Sequence, residues 1–369
     1  MASYVDPVDG ASYPLEVPRW RSDAGRPLWI EPGPGISRDE IETGARSLWR
    51  YQAALPVHIE NPLSLGEGCT PLVSAPWGQG KALFKLDFLN PTGSFKDRGT
   101  SVMFSYLRER GITSVLEDSS GNGGSSAAGY AAAGGMKSKI FVPDSTSEEK
   151  ILQVRAYRAE VDLVPGPRVE AQNAAIRDES EAFYASHNWQ AFFLQGTKTL
   201  AYELWEDLSF TAPDNVVVPV GAGSSLLGCW LGFTELYRAG SIKTMPRLFA
   251  AQPLHCSPVD AAFRGVGDRG VLPTVAEGTA IARPLRLEQM LHALHDSSGG
   301  TVAVPEADIV TALRQLCSGG MFVEPTSATA AAALSMLIGE GVIGPEETTV
   351  VVLTGSGMKA AQKVHDLLA

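Results

Sequence analysis

Lys96 stands in the run Asn90-Pro91-Thr92-Gly93-Ser94-Phe95-Lys96-Asp97-Arg98-Gly99, directly after the strand-like stretch Leu83-Phe84-Lys85-Leu86-Asp87-Phe88. A strand that breaks at Asn-Pro-Thr-Gly and restarts as a helix puts one amine at a strand-to-helix turn, where it can serve as a nucleophile. Downstream, Ser114-Val115-Leu116-Glu117 reads as another strand, and it runs into Ser119-Ser120-Gly121-Asn122-Gly123-Gly124-Ser125-Ser126. Five of these eight residues are Ser or Asn and three are Gly, so an anion can meet hydroxyls and also lie against bare backbone. A flexible surface turn is the plain alternative. The run Gly221-Ala222-Gly223-Ser224-Ser225 follows the apolar Val216-Val217-Val218-Pro219-Val220 and offers N–H groups and two hydroxyls at a helix start, a setting that suits a phosphate. It also suits an ordinary tight turn, and it matches no Walker loop. Thr354, in Leu353-Thr354-Gly355-Ser356-Gly357-Met358-Lys359, supplies a neutral hydroxyl at the end of the most apolar strand.

Alone, Lys96 reads as a solvated lysine. Taken with a phosphate loop, a carboxylate-sized loop and a strand-end hydroxyl, it completes a set: an amine for a Schiff base, a phosphate cradle, a nest for a substrate carboxylate and a neutral partner for a ring nitrogen. Pyridoxal phosphate needs that set of parts.

These residues need a scaffold that brings strand ends together. Apolar strand-like runs alternate with helical patterns from Lys81 onward. Further strands are expected at Lys139-Ile140-Phe141-Val142, Glu160-Val161-Asp162-Leu163-Val164, Leu248-Phe249-Ala250-Ala251, Thr301-Val302-Ala303-Val304 and Thr349-Val350-Val351-Val352-Leu353. Helices are expected near 147–159, over roughly 169–186 and over 226–237. Continuous apolar strands alternating with helices indicate α/β organisation in two lobes, with parallel sheets covered on both faces. In such sheets ligands bind at the carboxyl ends of the strands. Residues 1–45 read as an extended arm anchored by Trp20, Trp29 and Trp49.

The chain resembles the fold-type-II pyridoxal-phosphate enzymes, whose fold is that of the tryptophan synthase β subunit, and within them it is most similar to the threonine synthases. The resemblance rests on Leu48-Trp49-Arg50-Tyr51, Ser64-Leu65-Gly66-Glu67-Gly68-Cys69-Thr70-Pro71-Leu72, the Lys96 motif, Ser120-Gly121-Asn122, Gln195-Gly196-Thr197-Lys198-Thr199, Pro219-Val220-Gly221, Glu324-Pro325-Thr326-Ser327-Ala328 and the Thr354 loop. It implies that Lys96 holds the cofactor and shuttles the proton. Asn122 would meet the ring hydroxyl oxygen, Thr354 the pyridine nitrogen, and Gly221, Ala222, Gly223, Ser224 and Ser225 the phosphate. Ser119, Ser120 and the N–H groups of Gly123, Gly124 and Ser125 would receive the substrate. Lys198 would contact either a substrate anion or a neighbouring carboxylate, and Glu324 is either a helix-start residue or a catalytic one. A hydroxyl opposite the ring nitrogen favours elimination and replacement over transamination.

The implied domains are residues 1–94 as an arm plus part of the large domain, 95–190 as the small α/β domain and 191–369 as the rest of the large one. The implied activity is that of a carbon–oxygen lyase acting at Cβ or Cγ of an activated amino acid such as O-phosphohomoserine. Two other readings stand beside it: β-elimination or β-replacement on serine-, threonine- or cysteine-like amino acids, and a paralogue that binds cofactor without turnover. The chain ends soon after the Thr354 loop, leaving no room for the regulatory domain of some dehydratases. It departs from the threonine synthases at Gly123, where Thr is common just after the loop asparagine, and at Ala222-Gly223-Ser224-Ser225, where Asn-Ala-Gly-Asn is common after the strand-end glycine. Ser22 and Ala24 stand where arm cysteines would bind zinc, so no metal is expected.

The formal net charge of −11 argues against a nucleic-acid partner. The apolar runs are too short for a membrane helix and the start is unlike a signal peptide, which points to the cytoplasm. Cys69, Cys229, Cys256 and Cys317 show no paired spacing and read as isolated thiols. A homodimer is implied by the resemblance alone.

Overall fold

In the computed structural model, residues 2–78 and 80–369 are described. The strands in chain order are β1 (Ser3–Val5), β2 (Ser12–Pro14), β3 (Leu72–Trp77), β4 (Gly80–Lys85), β5 (Ser114–Glu117), β6 (Lys137–Pro143), β7 (Glu160–Val164), β8 (Phe183–Tyr184), β9 (Asn215–Pro219), β10 (Arg247–Pro253), β11 (Gly300–Val304) and β12 (Thr349–Val352). The helices are α1 (Lys96–Glu109), α2 (Asn122–Ala133), α3 (Glu148–Ala156), α4 (Arg168–Arg177), α5 (Ala191–Thr197), α6 (Thr199–Asp207), α7 (Ser224–Arg238), α8 (Pro258–Phe263), α9 (Leu287–Asp296), α10 (Glu306–Ser318), α11 (Pro325–Gly339) and α12 (Ala361–Leu368).

The chain divides into two compact units. The first comprises Met1–Gly33, Glu40–Glu67 and Lys96–Thr197; the second comprises Pro34–Asp39, Gly68–Phe95 and Lys198–Ala369. In this division most of the arm groups with the small α/β unit, which runs on to Thr197. The reason is side-chain burial. Tyr4 is fully buried and its hydroxyl donates to that of Tyr106, which in turn donates to the Leu15 carbonyl. The Trp49 indole donates to both Glu67 and Ser101, and the Trp20 indole to Glu179. Each aromatic anchor thus buries its ring and satisfies its polar atom within the first unit.

The first unit holds a parallel sheet in the order β7-β6-β5-β8. Its core joins Val102, Phe104 and Leu107 of α1 with Ala127 and Ala131 of α2, Phe192 and Phe193 of α5, and Ile140 and Val142 of β6. A helix does not cover all of 169–186. α4 stops at Arg177, a short 3₁₀ turn covers Asp178–Ser180, and Phe183–Tyr184 pair with Val115 and Leu116 instead. Tertiary pairing at the sheet edge overrides the weak helical pattern there.

The second unit holds a six-stranded sheet in the order β11-β10-β9-β12-β4-β3. All its neighbours are parallel except β3 and β4, which form an antiparallel hairpin edge. β9 and β12 are buried at every position and lie next to each other at its centre, as their unbroken apolar runs require. β4 ends at Lys85 rather than at Phe88, and a 3₁₀ turn over Asp87–Leu89 carries the chain towards the lysine motif.

Candidate active site

In the first unit, Lys96 is the opening residue of α1. Asp97, in the same turn, is buried and accepts a 2.6 Å hydrogen bond from Ser126 of α2, whose hydroxyl also meets that of Thr100 at 2.8 Å. These bonds tie the first turns of α1 and α2 together. Gly99 lets an aromatic ring in, because a Cβ there would come within 2.5 Å of Phe193. The Lys96 amine in turn lies 5.7 Å from the centre of that ring. So the glycine of the lysine motif and an aromatic residue of α5 together make one wall around the amine.

Loop 119–121 leaves the carboxyl end of β5 and α2 starts at Asn122. Gly121, at the cap position, provides no side-chain acceptor for the first-turn N–H groups, which leaves them able to bind an anion. Ser119, Gly123, Gly124 and Ser125 are buried around this turn, and Ser120 and Asn122 are partly exposed. The structure therefore gathers Lys96 and all the expected substrate-loop residues in one unit.

It also adds Glu117 and His187, which motif reading did not select. Glu117 ends β5, and its carboxylate oxygens both lie 3.1 Å from Nδ1 of His187. The same carboxylate accepts the backbone N–H of Asp118 at 2.9 Å and that of His187 at 3.1 Å. The His187 ring leans on Phe193 with centroids 5.6 Å apart. Burial pushes the Glu117 carboxyl up to about 7, and burial together with the Lys96 charge holds the His187 imidazole well below its usual range. Two adjacent acids, Glu117 and Asp118, closing an apolar strand were the available sequence signal.

In the second unit, loop 221–223 leaves β9 and α7 starts at Ser224. Gly223 has φ 85°, and a Cβ there would meet the Met290 sulfur at 2.0 Å, so both conformation and space demand glycine. Ser225 is buried, and its hydroxyl has no hydrogen-bond partner among the described residues. Thr354 follows β12, the neighbour of β9, so the loop and the hydroxyl share one sheet edge. The Ser327 hydroxyl accepts the N–H groups of Thr354 and Gly355, each at 2.9 Å, and lies 3.2 Å from the Thr354 hydroxyl. The Phe95 N–H donates to the Thr354 carbonyl at 2.9 Å, so the residue immediately before Lys96 is fastened to this edge.

Glu324 caps the start of α11 and donates its N–H to the Gly355 carbonyl at 3.0 Å. Lys198 is buried, and its ammonium lies 2.7 Å from Glu235, which also accepts the Tyr202 hydroxyl at 2.6 Å.

The model for "Pyridoxal-phosphate dependent enzyme" matches residues 63–355. The chain belongs to this family. Its cofactor is accordingly pyridoxal 5'-phosphate. The chain is similar to a threonine synthase of Methanocaldococcus jannaschii, at 33% identity over 88% of this chain and 83% of that protein. A threonine synthase of Methanosarcina acetivorans is 31% identical over 90% of this chain and 85% of its own length. Among solved structures, a fungal L-serine ammonia-lyase from Rhizomucor miehei shares the fold with a TM-score of 0.71 and 20% identity, covering 82% of this chain and 98% of that one. The fold is the fold-type-II α/β architecture.

The residues fit the cofactor's phosphate. The orphaned Ser225 hydroxyl, the bare Gly223 and the uncapped first turn of α7 form a cradle that a phosphate monoester completes.

Proposed function

We propose that this protein is a threonine-synthase-like lyase that eliminates or replaces a group at Cβ or Cγ of an activated amino acid, with O-phosphohomoserine as the reference substrate. Bound pyridoxal phosphate supplies the electron sink for charge at Cα. In this reading Lys96 Nζ carries the cofactor and moves the proton at Cα. The N–H groups of residues 221–225 and the Ser225 hydroxyl hold the phosphate, Asn122 meets the ring oxygen and Thr354 the ring nitrogen. Ser119, Ser120 and the first-turn N–H groups at Gly123, Gly124 and Ser125 orient the substrate carboxylate. Lys198 holds Glu235 and positions α6 against α7.

The observation that carries this reading is the Phe95 to Thr354 bond, which fixes the residue before Lys96 beside a neutral, Ser327-oriented hydroxyl. A hydroxyl opposite a pyridine nitrogen leaves that nitrogen mostly unprotonated, which supports elimination over transamination. Incubating the cofactor-loaded protein with O-phospho-L-homoserine and assaying threonine and phosphate tests it; release of neither product overturns the threonine-synthase form.

A second reading, β-elimination from a hydroxy amino acid, is favoured by one observation: the His187 imidazole takes the space in front of Gly123. Ammonia release from serine or threonine distinguishes it. The proposal extends to a cytoplasmic homodimer, and light scattering of the purified protein checks the dimer.

A further inference from the structure

We propose that Ser327 is a positioning residue for the cofactor ring: it spends its own bonding capacity on the backbone, so that the Thr354 hydroxyl faces the pyridine nitrogen as a donor only. This rests on the assignment of Thr354 to that nitrogen above and names the residue that sets the direction of the bond.

The placement follows from topology. Thr354 lies just past the carboxyl end of β12, and Ser327 lies in the first turn of α11, which begins at Pro325. Two backbone links hold these segments together. The Glu324 N–H donates to the Gly355 carbonyl at 3.0 Å, and Val323 forms an isolated bridge with Ser356. Ser327 is fully buried and Thr354 is 2% exposed, so neither hydroxyl can turn to bulk water.

A count of lone pairs fixes the direction. A serine hydroxyl has two lone pairs and one proton. The N–H groups of Thr354 and Gly355 both donate to Ser327 Oγ at 2.9 Å, which uses both lone pairs. The Ser327 proton then goes to the Gly355 carbonyl or to the Thr354 hydroxyl oxygen, each 3.2 Å away. In either case Ser327 has no lone pair left for the Thr354 proton. The Thr354 hydroxyl has no other hydrogen-bond partner among the described residues, so its proton is kept for a group outside this cluster.

That group has to be an acceptor. A buried O–H without one costs free energy, and an acceptor removes the cost. An unprotonated pyridine nitrogen offers one in-plane lone pair and no proton. A protonated ring would bring a second proton to a hydroxyl that already has one to place. Ser327 thereby biases the ring towards its neutral form, and the serine of the Glu324-Pro325-Thr326-Ser327-Ala328 segment gains a chemical role.

The test measures binding and protonation, not turnover. Dissociation constants of pyridoxal phosphate and of its analogue with carbon in place of the ring nitrogen are compared for wild type, Ser327→Ala, Thr354→Val and the double variant. Thermal melting of the cofactor-free proteins reports folding. Wild type should prefer the nitrogen-containing ring by about tenfold, the worth of one buried hydrogen bond. Thr354→Val should abolish the preference, and Ser327→Ala should cut it to about threefold or less. In the Thr354→Val background Ser327→Ala should change the ratio no further, because the two residues act as one unit. Ser327→Thr, which keeps the hydroxyl, should restore most of the preference. With the ring nitrogen isotope-labelled for NMR, its resonance near neutral pH should be that of a neutral pyridine in wild type and should move towards the protonated position in Ser327→Ala. If Ser327→Ala does not fold, Ser327→Cys, whose sulfur is only a weak acceptor, takes its place in the same comparisons. A serine with a purely structural role would weaken both ligands equally and leave ratio and resonance unchanged, which overturns the inference. A protonated ring nitrogen in wild type overturns it too. A wild type that binds both ligands equally also removes the Thr354 assignment, whereas the lyase reading is decided separately by threonine and phosphate release.

Discussion

The ammonium of Lys198 lies 2.7 Å from Oε1 of Glu235, with both side chains buried and the Tyr202 hydroxyl donating to the second carboxylate oxygen. Removing one member of a buried, hydrogen-bonded pair strands the other charge in a low-dielectric interior. Lys198→Ala should therefore lower unfolding free energy by about 3–5 kcal/mol in urea titrations. A loss of activity with unchanged stability would instead place Lys198 at the substrate.

Lys96 should be the only lysine that retains the cofactor after borohydride reduction, read by mass spectrometry of digested protein. Lys96→Ala should fold normally and lose at least about 10² to 10⁴ in turnover, the usual cost of a positioned acid–base group. A label elsewhere, or wild-type activity in the variant, would end this assignment.

Ser225 separates binding from stability. Its hydroxyl is buried without a partner, so Ser225→Ala should leave the cofactor-free protein as stable as wild type or slightly more so. Cofactor affinity should fall by about tenfold or more, the worth of one charge-assisted hydrogen bond to phosphate. Fluorescence titration with pyridoxal phosphate measures this; equal affinity would show that the phosphate does not reach Ser225.

The Glu117 and His187 pair should make stability respond to pH in a diagnostic way. Glu117 is raised from 4.5 to about 7, so on its own it would stabilise the fold at low pH and lose that contribution as pH rises through this window. His187 is depressed from 6.5, so on its own it would cost stability as pH falls below that value. Where the unfolded pair carries its proton on His187 and the folded pair carries it on Glu117, the two slopes oppose each other. Lys96, Asp118, Arg168 and Tyr184 are the other titratable groups that act on this pair. Glu117→Gln should expose the histidine slope, with melting temperature rising with pH up to about 6.5 more steeply than in wild type. Parallel melting curves for the two proteins would refute the pairing.

Gly99→Ala tests the wall beside the amine. Its Cβ would meet the Phe193 ring at 2.5 Å, so α5 has to shift at a cost of about 1–3 kcal/mol in chemical denaturation, with weakened turnover from the displaced ring. Restored stability in Gly99→Ala/Phe193→Leu would tie the effect to that contact.

Much of this protein is determined locally. The alternation of apolar runs with helical patterns is enough for an α/β fold, since a strand buried on both faces must be apolar throughout, as β9 and β12 are. The strand-to-helix turns at Lys96, Asn122 and Ser224 were legible because glycines and small polar residues interrupt the pattern within a few positions. The tertiary structure alone decided what each buried polar group meets. Glu117 is 70 residues from His187, and Lys198 is 37 from Glu235. No periodicity encodes such separations, because strand order and helix packing set them. The same holds for the arm, whose aromatic anchors find hydrogen-bond partners far along the chain, and for β8, a two-residue strand that exists because β5 has an open edge to pair with. Local pattern selects the elements; the burial of charges and rings, which tolerates few arrangements, selects their partners.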